Sequence, residues 1–449
     1  MKKVFIKIKP FIKYILIFFF FLFWNLVAQP INLDEIWNYG FSYNIYNGLL
    51  PYKDFNMVIT PLYPFIMSVF LHIFGSSILV LHIFNAFMIT GMLYLVERLV
   101  KRDVCFFILI LCFPLSVVFP SYNLFLLLLF IVVVYLEKKN CNDYLIGFIL
   151  GLFILSKHSV GVCLCLPSIY YLVKKDYSKV LKRVVGCLIP CGSFLIYLIF
   201  SGSLSAFLDL CLFGLFDFAS SNSSEFNVLL VISLVLLVIN FYMIYKDKNN
   251  IYNYYLLSFF SILVPLFDLY HLELYIFSFS MIWLLENRKE IFIKYIDIKL
   301  FIRGVLLGVV VLTLIMRFND KIYFPSGIRY FEARAVNGKY LNYTKKINEK
   351  VRDYDTKGKD IIFLSADGYY FRIINDMQIG YIDLINTGNW GYNGSEKLLK
   401  YIKNSEDSVI FLDNNEIGSN KQTDQKVLEY VVKNGKVIDE VLSYDIYIF

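Results

Sequence analysis

Two adjacent carboxylates, Asp34 and Glu35, stand a few residues past the first long apolar run of the chain. A carboxylate at a membrane edge is partly desolvated, which favours its protonated form and suits it to accept a proton from a hydroxyl. Two acids in a loop can also be plain solvated charges, and position alone does not choose between these readings. Lys157 and His158, and later His271, lie where other apolar runs end. Cations at that depth are costly unless they snorkel, pair or hold a ligand, and the charge on a departing phosphate would be such a ligand. The alternative for Lys157 is snorkelling from a short helix. For His271 it is a hydrogen bond between helices, with Glu273 as its partner. Asp54 reads as a turn cap or a sugar contact. Asp209, Asp217 and Glu225 add carboxylates in a loop at 201–227, and one of them could be a second site acid.

The elements that must position these residues are membrane helices. Of 449 residues 58% are hydrophobic and only 18% charged, and mean hydropathy is +0.61. Soluble domains are closer to half apolar and a quarter charged. The excess lies before residue 317, where apolar runs recur at 11–28, 77–97, 104–119, 122–136, 144–156, 159–173, 184–200, 228–245, 254–268, 271–285 and 301–316. Each is long enough, or nearly so, to cross a bilayer. The expectation is a polytopic α-helical membrane protein with about 11 transmembrane helices. Lys and Arg gather in alternate connections, at 2–13, 98–102, 138–139, 174–183, 246–248 and 288–303. The connections between them hold only Lys53 and Lys157. By the positive-inside rule the N-terminus is then cytoplasmic. The loops at 29–76 and 201–227 and everything beyond 318 are extracytoplasmic. The same parity makes 61–75 an interfacial or re-entrant helix and makes 144–173 two short passes turning at Ser156-Lys157-His158-Ser159. The domains expected are a membrane domain at 1–317, carrying the first outer loop at 29–76, and an extracytoplasmic domain at 318–449.

The first outer loop has a recognisable order: Asp34-Glu35, then Gly48-Leu49-Leu50-Pro51-Tyr52-Lys53-Asp54, then Pro61, then Phe74-Gly75 at the entry to the next run. This order resembles the GT-C superfamily of glycosyltransferases, and within it the protein-mannosyltransferase and aminoarabinose-transferase (family 39-like) group. The family's frequent Pro-Pro is replaced here by Pro61-Leu62. A glycine-bearing segment ending at Lys157 and the segment from Asp268 to Phe277 resemble later parts of the family pattern. The resemblance implies inverting transfer of a monosaccharide from a polyprenyl-phosphate carrier to a lipid, protein or cell-envelope glycan on the outer side of the cell membrane. It implies Asp34 and Glu35 as catalytic carboxylates and Lys157, His158 and His271 as donor-phosphate ligands. Tyr52, Asp54 and Glu273 would be accessory. Glu35 would support Asp34, or bind a divalent metal if one takes part, and no cofactor is otherwise required. A transporter or flippase of lipid-linked sugars, or an envelope polysaccharide polymerase, is the competing reading. The former would favour internal repeats, and the latter an arginine-bearing loop between late spans; the sequence has neither.

Other signals carry little. The eight cysteines lack histidine partners at metal-ligand spacing, and none lies beyond residue 211, so the C-terminal domain needs no disulfide. There is no phosphate-binding glycine loop. The net charge of +7 comes from the basic connections and does not indicate nucleic acid. In the C-terminal region 361–364, 369–374, 409–412 and 444–449 read as strands, and 343–353, 396–404 and 425–434 as helices, giving a small α/β domain. The run Gly388-Asn389-Trp390-Gly391-Tyr392-Asn393-Gly394 reads as an aromatic turn, either structural or in contact with the acceptor.

Overall fold

The computed structural model describes residues 2–28, 31–100, 113–115, 118–221, 227–287, 311, 315, 321–355, 357–377, 389–405, 407–417 and 424–449. The expected spans at 104–119 and 301–316 fall largely outside these residues, as do Glu225 and Gly388.

In chain order the helices are α1 (Lys2–Phe23), α2 (Leu33–Tyr46), α3 (Leu62–Phe74), α4 (Ile78–Val100), α5 (Tyr122–Lys138), α6 (Asp143–Ser156), α7 (His158–Cys165), α8 (Ile169–Val173), α9 (Tyr177–Phe200), α10 (Leu204–Phe207), α11 (Leu215–Ser221), α12 (Val228–Lys246), α13 (Ile251–Phe259) and α14 (Leu269–Asn287). Strands β1 (Ile322–Tyr323) and β2 (Val336–Asn337) follow, then α15 (Gly338–Asp355), β3 (Ile361–Leu364), α16 (Gly368–Ile374), α17 (Gly394–Lys403), β4 (Val409–Asp413), α18 (Gln425–Asn434), β5 (Lys436–Val441) and β6 (Tyr444–Ile448). Asparagine side chains start many of the helices. Asn32, Asn142, Asn227 and Asn250 each accept a first-turn backbone N–H, which satisfies donors the helix leaves unpaired. By length and composition α4, α9 and α12 suffice to cross a membrane, and shorter apolar helices accompany them.

The chain forms two compact units. Unit 1 comprises 1–29, 81–194 and 224–319, and unit 2 comprises 30–80, 195–223 and 320–449. In unit 1, α6 and α7 are a helical hairpin that breaks at Lys157, whose φ of −156° is extended. Gly161 allows the hairpin to close, because a Cβ there would lie 2.3 Å from the Ile154 backbone nitrogen. Gly147 and Gly186 let α6 and α9 touch in the same way, each facing backbone of the other helix. One end of this bundle is fastened by a buried charge knot. Arg183 meets Glu137 at 2.7 Å and Asp143 at 2.9 Å, and Tyr255 donates to Glu137 at 2.8 Å. Paired charges and a satisfied hydroxyl make that burial tolerable.

Unit 2 joins the first loop, the 195–223 segment and the C-terminal region, the three stretches that the charge pattern assigns to one side. Its four-stranded sheet has the order β3-β4-β6-β5. Strands β3 and β4 are parallel and the other pairs antiparallel. Strands β3 and β4 are buried on both faces, as a parallel pair covered by helices should be. On one face Ile362, Leu364, Ile410 and Leu412 pack against Trp390 and the apolar sides of α17 and α18. On the other, Phe363 and Phe411 meet Phe371 and Tyr354.

Two local expectations change. Residues 369–374 are helical, not a strand. All seven residues of α16 are buried, and Arg372 on it donates to the Ile361 carbonyl of β3. Lys436–Val441 is a strand that the sequence reading leaves unassigned. It is the exposed edge of the sheet, so its alternation is weak.

Candidate active site

The acid pair belongs to unit 2 and sits in the first turn of α2. Asn32 Oδ1 accepts the Asp34 N–H at 2.8 Å, and Asn38 Nδ2 donates to the Asp34 carbonyl at 2.7 Å. These bonds fix the backbone of the helix start, and its dipole favours negative charge there. Asp34 is partly exposed and Glu35 fully buried. Arg334 donates to Glu35 Oε2 at 2.7 Å, and neither side chain has any exposed surface. Arg334 is fixed from its own side, since its N–H bonds the Phe331 carbonyl at 2.8 Å while the Phe331 ring packs edge-on against Tyr39 of α2. Tyr63 of α3 adjoins the pair. Burial, and then the Glu35 charge, push its phenol well above the ordinary range, so it stays a neutral hydroxyl.

Elsewhere in the first loop two side chains brace backbone. Asp54 caps a turn by accepting the Leu50 N–H at 2.7 Å. Tyr52 occupies the left-handed region at φ 70°, wholly buried, with its hydroxyl donating to the Ile59 carbonyl at 2.7 Å. A tyrosine held there stores strain that the surrounding contacts must offset, and the Phe207 ring at 5.2 Å is one of them.

Asp209 and Asp217 secure the aromatic turn. Asp209 pairs with Lys397, and Asp217 accepts the Asn393 N–H at 2.9 Å. Trp390 from that turn enters the core of the sheet.

Unit 1 holds the cationic group. Lys157 Nζ reaches Asn123 Oδ1 at 3.5 Å and lies 5.6 Å from the Tyr122 ring centroid. Asn123 Nδ2 in turn meets His271 Nε2 at 3.4 Å. The Nδ1 of His271 bonds Asp268 at 2.8 Å, as does its backbone N–H. Asp268, and not Glu273, is thus the histidine's carboxylate. Residues two apart on a helix face different ways, whereas Asp268 stands one turn earlier. With its Nδ1–H given to Asp268, the histidine would present Nε2 as an acceptor to the Asn123 amide. Lys157 and His271 are therefore brought together through Asn123, a residue the sequence reading misses. His158 starts α7 next to Lys157.

Arg334 is the other omission. It lies in a region with no motif, although Asn32-Leu33-Asp34-Glu35 has the spacing of a helix capping box and could have placed the start of α2. Among the described residues, no three His, Cys, Asp or Glu side chains gather as a metal site would require.

A bundle of apolar helices and a small α/β region make up a fold of the GT-C type, as the solved structures that resemble it indicate. The chain is similar over 98% of its length to the crystal structure of ArnT from Cupriavidus metallidurans bound to undecaprenyl phosphate, with a TM-score of 0.60 and 11% identity, covering 98% of that chain. The apo structure of the same protein gives a TM-score of 0.58 and 10% identity over 98% of this chain and 97% of that one. No family model matches the chain, and no curated protein matches it in sequence.

Proposed function

We propose that this protein is a glycosyltransferase that moves a monosaccharide from a polyprenyl-phosphate carrier to an extracytoplasmic acceptor. The observation that carries the reading is the likeness of fold, over nearly the whole of both chains, to ArnT bound to undecaprenyl phosphate. The likeness includes the C-terminal region, where the sequence has no motif.

Asp34 accepts the acceptor hydroxyl proton. The freed oxygen attacks the anomeric carbon as the bond from that carbon to the phosphate oxygen breaks, and the polyprenyl phosphate leaves with the electron pair. A single displacement inverts the anomeric centre. The leaving phosphate gains charge in the transition state, so Lys157 is worth more to it then than in the ground state. His271 and Asn123 hold the lysine's surroundings. Glu35, neutralised by Arg334, fixes the start of α2 and with it the direction of Asp34. The partial exposure of Asp34 beside a wholly buried neighbour supports this division of labour.

The test uses cells that lack the protein, complemented with the wild type or with Asp34→Asn, and mass spectrometry of their envelope glycans. A sugar mass present with the wild type and missing with Asp34→Asn is expected. Glycans identical in the knockout and the wild type, or restored in full by Asp34→Asn, would overturn the reading.

A further inference from the structure

Apart from these groups, unit 1 carries a groove of about 740 Å³ between residues 163–174 and 248–261. It opens because both walls leave the α-helical path. Pro167 lies in a 3-10 turn at Leu166–Ser168, and the opposite wall tightens to 3-10 at Phe260–Leu263. Proline cannot donate to the preceding turn, so the first break is built into the sequence. Leu166, Pro167, Ile169, Val173, Leu257 and Phe260 line the apolar length.

One end of the groove has a different character. Lys174 and Lys248 both line it there. Lys174 Nζ donates to Asn249 Oδ1 at 2.6 Å and Tyr170 donates to the Asn249 carbonyl at 3.1 Å, so the two walls are tied at this mouth. Tyr254 donates to the Lys248 carbonyl at 3.2 Å. Two acids stand nearby, and the basic residues of the mouth outnumber them: Asp247 accepts the Asn249 N–H at 3.0 Å, and Asp176 accepts the Lys179 N–H at 3.2 Å. Lys175 and Lys246 flank the mouth in sequence, and both are exposed. The result is an apolar slot with a net positive charge at one end.

We propose that this groove binds an anionic phospholipid, with an acyl chain along the slot and the phosphate against Lys174 and Lys248. Charge complementarity selects the occupant. A small anion would leave the apolar walls wet. A zwitterionic lipid would have to place its own cation near two lysines. Only an amphiphile with a net negative head satisfies both ends. Basic sites at helix ends bind acidic lipids in this way. The site is separate from the transfer chemistry and stands or falls without it.

The experiment is native mass spectrometry of the full chain in neutral detergent, titrated with phosphatidylglycerol or phosphatidylcholine of the same acyl composition. The wild type is expected to retain phosphatidylglycerol on the order of 20-fold more tightly. Lys174→Gln with Lys248→Gln, both at exposed positions, should bring the two lipids to parity. Leu257→Trp, which fills the slot, should weaken both. Inorganic phosphate at millimolar concentration should displace neither. Equal retention of the two lipids by the wild type would overturn the proposal. So would a preference that survives the double substitution, lipid binding undiminished by Leu257→Trp, or displacement by inorganic phosphate.

Discussion

Glu35 and Arg334 are 299 residues apart in sequence and meet at 2.7 Å with both side chains wholly buried. The contact pins the first turn of α2 to the C-terminal region, and it leaves Asp34 as the partly exposed acid of the pair. Removing one partner strands a buried charge, a far larger loss than the net worth of the pair. Arg334→Met or Glu35→Gln should therefore each destabilise unit 2 by about 3–5 kcal/mol. The double substitution should recover a good part of that loss. Thermal unfolding of the purified chain, run as a double-mutant cycle, measures it, and additive losses would mean that the two residues are not coupled.

Asp34→Asn should behave differently from Glu35→Gln. Substitution of a partly exposed residue in a helix first turn costs little stability. Under the proposed mechanism it removes the proton acceptor, worth about 10²–10⁴-fold in rate. Melting temperature and transfer rate should thus separate for Asp34→Asn and fall together for Glu35→Gln. An active Asp34→Asn enzyme would show that the proton goes elsewhere.

Asn123 joins Lys157 to His271. Under the proposed function, Asn123→Leu should lower the retention of undecaprenyl phosphate, used as the probe, by roughly 5–30-fold. This corresponds to the 1–2 kcal/mol expected of a charge-assisted contact and its support. Lys157→Met should cost at least as much. Native mass spectrometry reads both, and unchanged retention in Lys157→Met would remove the lysine from the phosphate site.

Two glycines of unit 2 are set by packing and by conformation. A Cβ on Gly40 would fall 1.8 Å from the Tyr369 ring. Gly391 has φ +76° and faces the Asp209 carboxylate, 2.6 Å from where a Cβ would sit. Gly40→Ala and Gly391→Ala should each destabilise the chain by about 1–3 kcal/mol through overpacking and, at Gly391, backbone strain. Loss of hydrogen-exchange protection in α16 for the first and around Trp390 for the second would localise the damage. Protection unchanged at both places would contradict it.

The edge of the sheet has a mild pH dependence. Lys350 meets Asp439 at 2.7 Å, and its bond holds the Asp439 carboxyl below the usual carboxylate value while raising the lysine. A lowered acid stabilises the fold above its unfolded value, about pH 4, and that contribution is lost as pH falls through the folded one. The raised lysine contributes below about pH 10.5, and its share is lost as pH rises past that value. Both side chains are about one third exposed, so solvent screening limits the effect to roughly 0.5 kcal/mol. Hydrogen exchange at 436–441 should loosen on acidification in the wild type and become insensitive in Asp439→Asn. An unchanged acid response in that variant would assign it to another group.

The acid pair, the two basic residues at helix ends and the apolar runs were all legible in the sequence. Membrane insertion depends on local apolar content, and a carboxylate or a cation at a helix end is placed by its immediate neighbours. The turn at Lys157 was legible for the same reason, because charged and polar residues interrupt an apolar run over a few positions. Tertiary structure decided the rest. Which carboxylate is exposed depends on Arg334, which no local pattern connects to Glu35. His271 takes Asp268 and not Glu273 because a helix turn, rather than closeness in sequence, sets which side chains meet. Residues 369–374 are helical despite a strand-like composition, a preference that their tertiary packing overrides. For Glu35 and for residues 369–374 the deciding energy comes from burial against segments distant in the chain, and that is set only when the chain folds.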